Sequence, residues 1–208
     1  MIIVRILQAL LLNLVLLSSP AAFAKTVLVL GDSLSAGYGI QLEEGWVHLL
    51  RPALKQHSEE PEHKIVNASV SGETSAGGLA RLPALLKAHS PDIVILELGG
   101  NDGLRGHSIK RLRSNLEQIV ALSKAADAQT LLVGIQIPPN YGRRYTNQFR
   151  QVYQTLAEKE SLALVPFLLE QVALKAEWMQ ADGIHPKAVA QSQIMHNVLP
   201  YLVPLLDS

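Results

Sequence analysis

Apolar residues along this chain gather into short unbroken runs, separated by longer stretches in which they recur at helical spacing. Val27, Leu28, Val29 and Leu30 form the first run, inside the stretch Thr26 to Ser35 (TVLVLGDSLS). Such a run, rich in β-branched residues, reads as a strand buried on both faces, as in the middle of a parallel sheet. Further strands are predicted at Lys64 to Ala68 (KIVNA), Asp92 to Leu98 (DIVILEL), Thr130 to Ile137 and Leu162 to Phe167. Between them the period changes. Glu43 to His57 carries Trp46, Leu49, Leu50, Ala53 and Leu54 at helical spacing, with Pro52 expected to kink or interrupt it. Thr74 suits the N-cap of a segment through His89, which Pro83 divides, and Ser108 that of a helix reaching about Asp127. Tyr145 to Ser161 is amphipathic, and a last helix follows Pro186, a residue that suits a first helical turn. Strands alternating with helices predict parallel βαβ units in a single-domain α/β/α sandwich with a five-stranded parallel sheet. No internal repeat, low-complexity linker or break in composition divides the chain.

The amino terminus departs from this pattern. Arg5 is followed by an apolar core from Ile6 to Leu17, interrupted by Gln8 and Asn13, and the stretch ends in Ala22-Phe23-Ala24. A positive start, a short apolar core and an A-x-A site describe a cleaved signal peptide. That core is short for a membrane span, which needs about 20 residues. Residues 1–24 are therefore expected to be a leader and 25–208 the mature domain, exported to the periplasm or beyond. With no cysteine after the cleavage site, a lipid anchor has no attachment point.

Composition narrows the chemistry. The chain of 208 residues is 48% hydrophobic, enough for one domain with a substantial core and unlike a disordered chain. Its 18 basic and 18 acidic residues balance, and loss of Arg5 with the leader leaves a formal charge of −1. That balance gives no electrostatic footprint for nucleic acid. The absence of cysteine excludes disulfides, thiolate catalysis and cysteine-based metal sites.

Four polar clusters follow predicted strands or precede the last helix. They contain Ser33, Gly72, Asn101 and the pair Asp182/His185. Parallel strands bring their carboxyl ends to one edge, where open α/β sheets bind ligands. Acyl transfer by a serine needs a hydroxyl, a base, a group orienting that base, and donors aimed at the oxyanion. Ser33 supplies the hydroxyl and His185 a base suited to neutral pH. Asp182, three residues before His185, can reach the other ring nitrogen across a turn. The N–H groups of Gly72 and Ser33 and the side-chain amide of Asn101 are the candidate oxyanion donors. Other roles exist for each: a turn for Gly72, a bond to its own backbone for Asn101, a cap for Asp182. Two metal ligands at Asp182 and His185 would lack a third with suitable spacing. His107 and His196 compete as bases, but neither has an acidic orienter in a nearby turn.

Together these blocks resemble the GDSL, or SGNH, hydrolase superfamily. The resemblance rests on Gly31-Asp32-Ser33-Leu34-Ser35, the stretch containing Gly72, Gly99-Gly100-Asn101-Asp102, and Asp182 to His185, and it covers nearly the whole mature chain. More narrowly, LGDSLSAGYG, GGNDGLRG, PPNYGRRY and WMQADGIHP resemble the bacterial periplasmic thioesterases that also act as lysophospholipases and arylesterases. Position 35 is serine, so Ser33 is not in the G-x-S-x-G elbow of α/β-hydrolases proper. The resemblance implies a flavodoxin-like SGNH fold with a shallow, exposed cleft, no cofactor, and hydrolysis of acyl thioesters and oxygen esters through an acyl-enzyme. A carbohydrate O-deacetylase on the same fold, or a binding module without activity, are the other readings. Small acyl esters or thioesters are the expected partners of a monomer. The acyl site is expected between the loop carrying Leu104, flanked by glycines and therefore free to shift, and a stiffer wall of Pro138, Pro139 and Tyr141.

Overall fold

The computed structural model describes residues 24–57 and 62–208, so the expected leader, Ala24 apart, lies outside the described residues. Five strands, β1 (Thr26–Gly31), β2 (Lys64–Asn67), β3 (Ile93–Glu97), β4 (Gln129–Val133) and β5 (Ala163–Val165), form one parallel sheet in the order β2-β1-β3-β4-β5. Seven α-helices among the described residues accompany them. These are α1 (Ser33–Ala36), α2 (Trp46–His57), α3 (Ser75–His89), α4 (Gly100–Leu104), α5 (Ile109–Ala125), α6 (Arg143–Glu160) and α7 (Ala188–Leu206).

The unbroken apolar runs have a direct cause. β1 and β3 pair from Val27↔Ile93 to Gly31↔Glu97 at the centre of the sheet, and Val27 to Leu30 are entirely buried. Val27, Val29, Ile93, Ile95, Leu131 and Val133 pack into one core with α2 and α7. Leu28, Leu30, Val94, Leu96 and Leu132 pack into the other with α3, α5 and α6. Both faces of each central strand thus need apolar residues, and each such side chain contributes about 1.5–3 kcal/mol on burial.

Several element boundaries move from their expected places. β4 ends at Val133 rather than Ile137; just beyond it, Gly134 lies so close to the Pro166 backbone that a Cβ would stand 2.3 Å from its carbonyl oxygen. Helix α2 runs through Pro52 unbroken; Pro52 and His48 are both exposed, so water can take the carbonyl that proline leaves unbonded. Thr74 caps α3 through its hydroxyl, which accepts the Gly77 N–H, whereas Ser108 makes no side-chain bond at the start of α5. Pro186 lies before α7 instead of in its first turn, and forms a β-bridge with Met179. The parallel arrangement sends the chain from every strand toward one edge, where α1, α4 and the segments 68–74, 134–142 and 166–187 meet.

Candidate active site

The nucleophile turn is built from below. β1 ends at Gly31, Asp32 caps α1 by accepting the Leu34 N–H (3.0 Å) on Oδ1, and Ser33 opens that single helical turn. As its first residue, Ser33 has an N–H with no intrahelical acceptor. Glu97, at the end of β3, lies beneath and is wholly buried; its Oε2 accepts the Asp32 N–H (3.2 Å) and the Ser35 hydroxyl (2.6 Å). Only glycine fits at position 31, since a Cβ there would stand 2.7 Å from both Glu97 Oε2 and the Ser35 side chain. Burial raises the Asp32 carboxyl from 3.8 to about 6, against the lowering influence of the Leu34 N–H, His185 and the Asn101 amide. Burial, and after it the Asp32 charge, pushes Glu97 well above the usual carboxylate range.

The segment before α7 supplies the partner groups. Asp182 Oδ1 accepts the N–H groups of Ile184 (2.9 Å) and His185 (3.0 Å), curling the chain back so that Oδ2 meets His185 Nδ1 at 2.6 Å. His185 Nε2 lies 2.9 Å from Ser33 Oγ. For Asp182 desolvation is the largest single influence and raises the carboxyl, but the hydrogen bonds from His185 and Ile184, with the His185 charge, together outweigh it and bring the group from 3.8 down to about 2. The acceptor at Nδ1 favours the tautomer with its proton on that nitrogen, leaving Nε2 free to take the serine proton. The competing histidines stand apart. His107 is 3.7 Å from Asp102, and His196 bonds the Ser192 carbonyl in its own helix.

Gly72 and Asn101 both line the cavity in front of Ser33. No acceptor engages the Gly72 N–H among the described residues, and its φ of 80° belongs to the left-handed region. The Asn101 amide nitrogen donates to the Glu73 carbonyl (2.9 Å) and to Asp32 Oδ2 (3.2 Å), so both of its hydrogens have acceptors in this state. Asp102 ties these two donor-bearing segments together: its carboxylate accepts the Ser75 N–H and hydroxyl, each at 2.7 Å, anchoring the start of α3 to α4.

The cavity encloses about 570 Å³. Leu104 and Pro138 line it, whereas Tyr141 stands behind Leu104 and donates its phenol to the Leu104 carbonyl at 2.9 Å. The Leu104 segment is also held more firmly than its glycines suggest. It is the last residue of α4, Gly103 packs directly against Ile137 and Phe149, and the Arg105 guanidinium donates to the Gly72 carbonyl (3.1 Å). Sequence reasoning overlooked the opposite wall, Phe167 to Leu174, which carries no polar motif; Leu174 there is 98% exposed. It also overlooked Glu97, although a lone acid closing an apolar strand is a signal, and Tyr38, which lines the cavity beside His185. No group of three His, Asp or Glu side chains that could hold a metal occurs among the described residues.

The chain is similar to known proteins in both sequence and fold. The model of the GDSL-like Lipase/Acylhydrolase family matches residues 29–191. The "Esterase TesA" of Pseudomonas aeruginosa is 52% identical over 195 residues, covering 94% of this chain and 96% of that protein. The "Thioesterase 1/protease 1/lysophospholipase L1" of Escherichia coli (strain K12) is 49% identical over 196 residues, covering 94% and 92%. Among solved structures, a crystal structure of TesA superposes with a TM-score of 0.84 at 51% identity, covering 87% of this chain and 99% of that one.

Proposed function

The chain belongs to the GDSL-like lipase/acylhydrolase family and is a serine esterase, and from that premise we propose that Ser33 is its nucleophile, His185 its base and acid, and Asp182 the orienting group. The observation that carries this assignment is the continuous relay from Ser33 Oγ through His185 to Asp182, at 2.9 and 2.6 Å, opening into a largely apolar cavity.

The mechanism follows from the relay. A substrate carbonyl enters with its acyl chain along the apolar walls. His185 Nε2 takes the proton as Ser33 Oγ attacks, and Asp182 balances the imidazolium that forms. The N–H groups of Ser33 and Gly72 stabilise the oxyanion, and Asn101 joins them by giving up one of its two resting bonds. The contact to Asp32 is the longer of the two. His185 then protonates the departing thiol or alcohol. Water, activated by His185, attacks the acyl-Ser33 ester, and collapse of the second intermediate frees the acid and restores the serine.

The substrates we propose are acyl thioesters, lysophospholipids and aryl esters. A cavity walled by Leu104, Ile135, Ile137, Phe167, Leu169 and Leu174 offers more apolar surface than an acetyl group can use, which favours this reading over a carbohydrate O-deacetylase. Export through cleavage after Ala24, and action as a monomer, complete the proposal; no described helix is long and apolar enough to cross a membrane.

The test is a panel of acyl-coenzyme A, lysophospholipid and aryl ester substrates with Ser33→Ala, His185→Ala and the double variant. Each single change is expected to remove most turnover, and the double variant to be scarcely worse, because the members of a triad act as a unit. Near-normal turnover in either single variant, or additive losses, would overturn the assignment.

A further inference from the structure

Tyr38 is half exposed, at 52%, yet its position is closely specified. It lies between Gly37 (φ 74°) and Gly39 (φ 76°), two left-handed positions that swing the chain back over the nucleophile turn. Its N–H donates to the Ser33 carbonyl (3.1 Å). Its carbonyl accepts Gln180 Nε2 (2.8 Å), and the same amide nitrogen donates to the Pro186 carbonyl (3.1 Å) while the Gln180 N–H donates to the His185 carbonyl (2.7 Å). Gln180 thereby clamps the Tyr38 backbone to the histidine segment. A side chain at position 39 would collide with the Gln180 amide, so glycine is needed for the clamp to close. The phenol ring is then held on the imidazole of His185, with ring centroids 4.5 Å apart and planes tilted by 40°.

We propose that Tyr38 is a positioning residue for His185, holding the imidazole between Ser33 and Asp182 and stabilising through its π face the imidazolium that forms during acyl transfer. Burial does not explain an exposed tyrosine at this point, whereas the clamp and the ring contact do. An aromatic face attracts a cation, and the attraction arises only once His185 has taken the serine proton, so it acts on the transition state. The groups facing the imidazole are Asp182 at Nδ1, the Ser33 hydroxyl at Nε2, Tyr38 on the ring face, and Asp32, whose charge acts on His185 from the nucleophile turn. The proposal rests on the assignment of His185 as the base.

The experiment compares Tyr38→Phe and Tyr38→Leu with the wild type on an acetyl aryl ester, which makes little use of the acyl wall. Tyr38→Phe keeps the ring and is expected to stay within about twofold in kcat. Tyr38→Leu is expected to lose about three- to tenfold in kcat with KM little changed. The ring favours the protonated imidazole, so its removal lets the neutral base persist to lower pH. The acid limb of kcat/KM for Tyr38→Leu is therefore expected about half a pH unit lower. Thermal unfolding of both variants checks that the fold is intact. An unmoved acid limb, a loss confined to KM, or a Phe variant as impaired as the Leu variant would overturn the proposal. His185→Ala separates the two levels. If it is inactive while the acid limb of Tyr38→Leu stays in place, only the role of Tyr38 fails; if it is active, the base itself has been misassigned.

Discussion

Asn101 has two amide hydrogens and, in the resting site, two acceptors for them, the Glu73 carbonyl and the Asp32 carboxylate. A donor already satisfied gives the substrate carbonyl little in the ground state. In the proposed mechanism it becomes useful as negative charge develops and the oxyanion outcompetes Asp32 for one N–H. Removing such a donor therefore acts on kcat. Asn101→Ala is expected to lower kcat by about 10²–10³ with little change in KM, measured on any aryl ester the wild type hydrolyses. A variant with normal kcat and raised KM would make Asn101 a substrate-positioning group instead. Asn101 and Ser33 were legible in the sequence because each follows an apolar strand in a glycine-bearing polar block. Tyr38 and Gln180 were not, because their roles depend on a clamp between segments 142 residues apart.

At the level of elements, α4 shows where local reasoning about flexibility gives way to packing. Glycines around Leu104 and Arg105 suggested a loop free to shift. In the fold Gly103 serves close contact with Ile137 and Phe149, Tyr141 holds the Leu104 carbonyl, and Arg105 bridges to Gly72. Leu104 thus belongs to a fixed wall of the cavity. The central strands and the long helices were legible, since a two-faced sheet demands unbroken apolar runs and a helix against it demands one apolar stripe. The one-turn helix α1, the short α4 and the 166–187 segment left no such period, because too few of their residues repeat. If Leu104 lines the acyl site, each methylene it covers contributes up to about 0.8 kcal/mol to binding. Leu104→Ala is then expected to reduce kcat/KM for decanoyl aryl esters more than for acetyl esters, read from a chain-length series. An equal reduction at all lengths would place Leu104 outside the acyl path.

For the whole molecule, the acids beneath the nucleophile turn couple stability to pH. Glu97 is wholly buried, its Oε1 without a partner among the described residues, and Asp32 is nearly as buried. Both have folded-state values above their ordinary ones, 4.5 for Glu97 and 3.8 for Asp32, the latter reaching about 6. An acid so raised binds its proton in the folded chain at a pH where the unfolded chain has lost it. Its contribution to stability is present below the unfolded value and declines as pH rises through the folded one. For Asp32 taken alone the decline between pH 3.8 and about 6 amounts to about 3 kcal/mol, and to less where the two acids share a proton. Glu97→Gln keeps a carbonyl to accept the Asp32 N–H and the Ser35 hydroxyl but removes the titrating group. Its amide places an NH₂ where Oε1 has no partner, at a cost of about 1–3 kcal/mol that does not vary with pH. Relative to wild type, the variant is expected to be less stable at pH 5 and to recover, or overtake, by pH 8. Urea unfolding of both proteins at the two pH values measures this directly. A stability difference that is the same at both would mean that Glu97 holds its proton equally in the folded and unfolded chains, and that its burial does not oppose ionisation.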